Sequence, residues 1–99
     1  MGKTSNINLS MLCDFYELTM GNGYLESGLG DRITYFDVFF RTVPDNGGFA
    51  IAAGLEQVVE YIKELHFDDR DIEYLRSKNL FSEKYLDYLK NFKFTGDVW

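Results

Sequence analysis

A chain of 99 residues is enough for one small domain, whose core stays modest unless it packs against something else. Hydrophobic residues make up 45% and aromatic residues 17%, which excludes the composition of a disordered chain. The net charge is −6, with 3 basic and 6 acidic side chains in residues 1–50 and 7 and 10 in residues 51–99, so no basic stripe exists to meet a nucleic-acid backbone or an anionic membrane.

Cys13 is the one cysteine, so a disulfide framework is ruled out and a reducing compartment, the cytoplasm, is expected. The first ten residues are polar and carry no apolar stretch of signal-peptide length, and no later stretch is long and apolar enough to span a bilayer. Residues 1–10 read as a flexible N-terminus.

From Met11 the pattern is helical. Leu12, Phe15, Leu18 and Thr19 fall on one face, and Tyr16, Met20 and Tyr24 on an adjoining one. Asp14 sits at the helix start, where its charge suits the N-terminal end of the dipole. Gly21 and Gly23 inside the helix each cost about 1 kcal/mol relative to Ala. Glycines accepted at that cost point to close approach of another element. Ser27-Gly28 ends the helix.

Residues 32–41 are rich in β-branched and aromatic side chains and read as a strand covered on both faces. Pro44-Asp45-Asn46-Gly47-Gly48 is a turn cluster, and the apolar run 49–52 reads as a second strand. After Gly54, Leu55, Val58, Val59 and Ile62 stand at i, i+3, i+4 and i+7 of an amphipathic helix running to about Leu65. Asp68 and Asp69 precede a short helix with Ile72 and Leu75. Ser82 caps a last one whose apolar face holds Tyr85, Tyr88, Leu89 and Phe92. Thr95-Gly96-Asp97 is a turn opening a further strand. The fold class expected is α+β, helices with a small sheet, over residues 11–99 and incomplete at the C-terminal end.

No phosphate loop, dinucleotide fingerprint or Cys/His metal cluster is present. His66 reads as an ordinary, partly exposed side chain, and Cys13 as a small buried hydrophobe whose thiol pKa the neighbouring Asp14 raises. Three features remain: Asp14-Phe15-Tyr16 at a helix start, Phe39-Phe40-Arg41 at a strand end, and the Thr95-Gly96-Asp97 turn. Taken by themselves they read as a capping Asp, a core Tyr, a surface Arg and a plain turn.

Taken in order, the motifs resemble one family. The run Leu12-Cys13-Asp14-Phe15-Tyr16-Glu17-Leu18-Thr19-Met20 is similar to the opening helix of nicotinate phosphoribosyltransferases. So are Phe36-Asp37-Val38-Phe39-Phe40-Arg41, Gly47-Gly48-Phe49-Ala50-Ile51-Ala52-Ala53-Gly54-Leu55-Glu56, and the stretch from Asp71 to Val98. Each motif alone is weak, and four in the right order and spacing are specific.

The resemblance implies an enzyme that joins nicotinate to the ribose of phosphoribosyl pyrophosphate, releases pyrophosphate and couples the step to ATP with Mg. It implies a homodimer whose N-terminal α/β region contributes to the partner's site, and an α/β barrel that this chain does not contain. By that likeness Tyr16 stacks on the pyridine ring and Asp14 lies near the same pocket, with helix capping an equal reading of Asp14. Arg41 reaches phosphates of the ribosyl donor, for which a planar guanidinium is suited. Substrate-binding candidates are therefore Tyr16, Asp14 and Arg41, with no catalytic residue and no metal ligand in this chain.

The chain departs from the pattern where Cys13 replaces a common Thr and where Pro44-Asp45-Asn46 replaces Pro-Phe-Gly before Gly47. The phosphorylatable histidine belongs further along such an enzyme, and His66 does not match it. The isolated 99 residues are expected to form no nicotinate mononucleotide, and its appearance with purified chain would refute this. Two rival readings are a segment of nicotinamide phosphoribosyltransferase, separable by competition kinetics with the two bases, and a stand-alone binding or assembly module using exposed apolar helix faces.

Overall fold

The computed structural model describes residues 8–99. Four helices follow in chain order: α1 (Phe15–Glu26), α2 (Leu55–Glu64), α3 (Asp69–Ser77) and α4 (Glu83–Lys90), with a short 3-10 turn at Pro44–Asn46. Their boundaries follow local chemistry. Gly28 closes α1 in a left-handed conformation (φ 77°), with its N–H donating to the Leu25 carbonyl at 3.1 Å and the Leu29 N–H to Tyr24 at 2.8 Å. Asp68 and Asp71 form a reciprocal capping box at the start of α3, with bonds of 2.9 and 3.1 Å. Ser82 caps α4 by accepting the Tyr85 N–H at 3.1 Å.

The core lies among α1, α3 and α4, with α4 in the middle. Leu18 comes from α1, Phe67 from the link before α3, Ile72 and Leu75 from α3, and Tyr85, Leu86 and Leu89 from α4. Met11, Leu25, Phe81 and Phe92 pack around it. A continuous row of rings runs along α4: Phe15, Phe81, Tyr85, Tyr88, Phe92 and Phe67, with neighbouring centroids 5.7 to 6.5 Å apart. Such pairs add about 0.5–1.5 kcal/mol each beyond the area they bury.

Polar contacts fasten the same helices. The Arg76 guanidinium of α3 grips both Glu83 oxygens of α4 at 3.0 Å and also pairs with Glu73. These groups are exposed, so the pair fixes geometry more than it stabilises. Asn22 of α1 accepts the Ser82 N–H at 3.1 Å, and the Ser82 hydroxyl donates to Glu26 at 2.6 Å. Residues 1–7 lie outside the described residues, so the expectation of a flexible N-terminus falls mostly there. Of the rest, Ser10 is buried, its Oγ accepts the His66 N–H at 3.0 Å, and Asn8 donates to the His66 carbonyl at 3.0 Å.

The expected α+β class is overturned: no strand or sheet exists among the described residues, and the fold is all-helical. Residues 32–40 carry neither helix nor strand, and Phe36 and Val38 are almost fully exposed. The reason is the lack of a partner. Aromatic and β-branched residues fit a pleated, half-buried surface, and the ladder needs a second strand across from them. The connection does not supply one: Asp45 and Asn46 both take positive φ (56° and 53°), a local geometry compatible with a tight turn between strands, yet the run 49–52 stays unpaired. Residues 97–99 likewise form no strand.

The clearest amphipathic helix of the sequence, α2, buries no residue. Leu55 is 78% exposed, and Val58 and Val59 are also exposed. With residues 29–54 and α2 outside the core, the molecule measures 46 × 31 × 25 Å, and its radius of gyration is 16.0 Å. A compact chain of this length has about 13 Å.

Candidate functional site

The candidate residues Asp14 and Tyr16 meet at the first turn of α1. Asp14 is the N-cap by position, with extended φ/ψ (−72°, 142°), yet its side chain makes no capping hydrogen bond and stays exposed. Its carbonyl accepts the Glu17 N–H at 3.1 Å. Tyr16 is 59% exposed, which rules out the core-tyrosine reading in this structure. The helical period explains the arrangement. Phe15, Leu18, Asn22 and Leu25 face α4 and the core, whereas Tyr16, Met20 and Tyr24, one turn apart, form an exposed stripe. The Thr19 hydroxyl donates to the Tyr16 carbonyl at 3.0 Å and closes that turn.

Arg41 lies in the irregular stretch before the Pro44–Asn46 turn and is exposed. Asp14 and Tyr16 share the first turn of α1, whereas Arg41 belongs to the irregular stretch.

The electrostatics of the α1 start are acidic. Cys13 is exposed rather than the buried hydrophobe expected, and it stands before the first residue of α1. Its thiol pKa is nevertheless raised, by partial desolvation first and then by Glu17 and Asp14. The thiolate, the nucleophilic form, is therefore scarce. The Tyr61 phenol of α2 is also pushed up, by burial first and then by Cys13 and Glu17.

His66 is exposed, and its Nδ1 donates to the Glu64 carbonyl at 2.6 Å, a local bond that fixes the tautomer. No group of three or more His, Cys, Asp or Glu side chains is placed to hold a metal among the described residues. No helix among the described residues is long and apolar enough to cross a membrane. A shallow groove lined in part by Glu73, Arg76, Glu83 and Lys90 lies between α3 and α4, where Arg76 pairs with Glu73 and Glu83 and Lys90 with Asp69 at 3.9 Å.

Residues 11–99 match the family described as the nicotinate phosphoribosyltransferase N-terminal domain. The chain belongs to that family. It is 38% identical over 90 residues to a nicotinate phosphoribosyltransferase of Mycobacterium tuberculosis, an overlap covering 91% of this chain and 19% of that protein. It is 34% identical over 79 residues to the nicotinate phosphoribosyltransferase of Bacillus subtilis, covering 80% of this chain and 16% of that one. The human protein of the same name is 37% identical over 67 residues, covering 68% and 12%. The chain thus spans about a fifth or less of the length of these curated relatives. No solved structure matches it.

Within this nicotinate phosphoribosyltransferase N-terminal domain, sequence reasoning overlooked the residues that hold the candidate turn. Phe81 stands against Phe15 edge to face, with centroids 5.7 Å apart, and stacks on Tyr85 at 5.7 Å. Its signal was legible, since an apolar residue just before an N-cap Ser commonly packs back onto its own helix. Leu86, 1% exposed, was also left off the apolar face of the last helix.

Proposed function

We propose that this chain is the base-binding N-terminal part of an enzyme that joins nicotinate to the ribose of phosphoribosyl pyrophosphate, yielding nicotinate mononucleotide and pyrophosphate in the cytoplasm. The observation that carries the reading is Tyr16, an aromatic ring held in the open at a braced helix start in a chain of this family. A flat, electron-poor pyridine stacks favourably on such a ring. Asp14 and Glu17 make the neighbourhood negative, so the nicotinate carboxylate points away from the α1 start and is received by other groups. Asp14 then restricts the orientation of the base instead of binding its carboxylate.

Arg41 is the phosphate-contacting residue of the proposal, reaching the donor in a homodimer, and its exposed guanidinium is open to that role. ATP and magnesium belong to the same reading. The family resemblance assigns these groups to parts of the enzyme beyond this chain, and no step here runs through them. This domain supplies positioning, the ordering of two substrates before chemistry.

Two substitutions in the full-length enzyme test the reading. Tyr16→Ala is expected to raise the nicotinate KM about 10-fold or more, because stacking contributes about 0.5–1.5 kcal/mol beyond burial and about 1.4 kcal/mol is tenfold. Tyr16→Phe keeps the ring and is expected to stay within about 2-fold. Equal effects of the two would move the role to the hydroxyl and sink the stacking reading.

Arg41→Lys is expected to raise the KM for phosphoribosyl pyrophosphate about 10-fold with an unchanged melting temperature, since Lys keeps the charge and loses the paired hydrogen bonds. An unchanged donor KM would leave Arg41 a surface residue.

A further inference from the structure

The first turn of α1 has an unusual dependence. Asp14 makes no side-chain cap, so the turn that presents Tyr16 lacks the local hydrogen bond that commonly secures a helix start. Helix termini without such a cap fray, and an exposed side chain on a fraying turn is poorly placed. What secures this turn is tertiary. Leu18 anchors it in the core, and the Phe15 ring meets the edge of Phe81 at 5.7 Å and 76°. Phe81 is itself wedged, stacked on Tyr85 at 5.7 Å and 23°, immediately before the Ser82 cap of α4. About two turns further along α1, Asn22 accepts the Ser82 N–H. The residues just before α4 therefore hold α1 at two points, Phe15 and Asn22.

We propose that Phe81 is a positioning residue for base binding: through Phe15 it fixes the first turn of α1 and so the direction in which Tyr16 faces the base. The proposal rests on the base-stacking reading of Tyr16. Phe81 touches no substrate and acts only through α1.

The test uses the full-length enzyme with Phe81→Leu, Phe81→Tyr and Phe15→Leu, alongside Tyr16→Ala. Phe81→Leu keeps an apolar side chain and removes the ring. It is expected to raise the nicotinate KM about 2- to 10-fold, with the donor KM and melting temperature nearly unchanged. Amide exchange should quicken over residues 15–19 and stay as it was in α3. Phe81→Tyr restores the ring and should restore both readouts. Phe15→Leu breaks the same contact from the other side and should copy Phe81→Leu.

A nicotinate KM that stays put in Phe81→Leu while Tyr16→Ala raises it overturns the positioning role and leaves the stacking reading intact. An equal rise in both substrates' KM, or a fall in melting temperature that Phe81→Tyr does not reverse, reduces Phe81 to a packing residue and overturns it too. No effect of Tyr16→Ala on nicotinate removes the stacking reading, and the positioning role falls with it.

Discussion

Replacing Leu86 with alanine is expected to abolish cooperative unfolding of this chain. Leu86 is 1% exposed and, with Leu75 at 0%, is one of the two largest side chains fully enclosed in the core. Removing buried leucine atoms costs the lost transfer energy plus the cavity left behind, about 2–5 kcal/mol. A single core in so small a chain rarely supplies more than about 3–5 kcal/mol in total. The one substitution therefore spends most or all of the stability that α1, α3 and α4 share. Leu55→Ala is the matched control, because Leu55 is 78% exposed on α2 and its loss is expected to change stability by no more than about 0.5 kcal/mol. Urea titration followed by far-ultraviolet circular dichroism reads both. A Leu86→Ala chain with an unchanged midpoint, or a Leu55→Ala chain as damaged as Leu86→Ala, would show that the core lies elsewhere.

The contrast between these two leucines also explains what the sequence could reveal. Helices were legible because their signals are local: the Asp68 and Asp71 box, the Ser82 cap, Gly28 after α1 and the 3.6-residue apolar period each act within a few residues. Which faces meet is not local. Leu55, Val58, Val59 and Ile62 form the cleanest apolar stripe in the chain, yet α2 buries nothing, whereas α1, whose stripe is interrupted by Gly21 and Asn22, contributes Leu18 to the core. Periodicity reports a capacity to bury a face and is silent on the partner.

The sheet failed for the same reason. Residues 32–40 have strand composition, and a strand exists only when another pairs with it. The candidate site divides along this line. Asp14 and Tyr16 stand where the helix pattern put them. Arg41 ends a stretch read as a strand from its composition, and that stretch is irregular because nothing pairs with it.

Gly21 shows a local oddity in the sequence acquiring its cause from the far end of the chain. A glycine inside a helix costs about 1 kcal/mol relative to alanine, so its presence in α1 pointed to a close neighbour. That neighbour is Tyr85. A Cβ built on Gly21 would lie 2.6 Å from the Tyr85 Oη and 3.2 Å from its Cζ, whereas at Gly23 it would meet nothing within 4 Å. The ring cannot easily retreat, because Tyr85 is 4% exposed and lies between Phe81 and Tyr88, stacked at 5.7 and 6.5 Å. Burial also pushes its phenol up to about 12, so the hydroxyl that blocks the site keeps its proton at any ordinary pH.

Gly21→Ala therefore gains about 1 kcal/mol of helix propensity and sets against it an overpacking cost of about 1–3 kcal/mol, for a net loss in most of that range. Tyr85→Phe removes the 2.6 Å contact and leaves the ring where it is. Introduced together, the two changes should recover at least about 1 kcal/mol of the loss seen with Gly21→Ala alone, a coupling that independent sites would not show. Gly23→Ala, with open space around it, should stabilise the chain by up to about 1 kcal/mol. Urea midpoints of the four variants decide the matter. Strict additivity of Gly21→Ala and Tyr85→Phe, or a Gly21→Ala chain as stable as Gly23→Ala, would mean that α1 and α4 do not cross at this closest point, and the bracing of the Tyr16 turn by residues 81 and 82 would lose its footing as well.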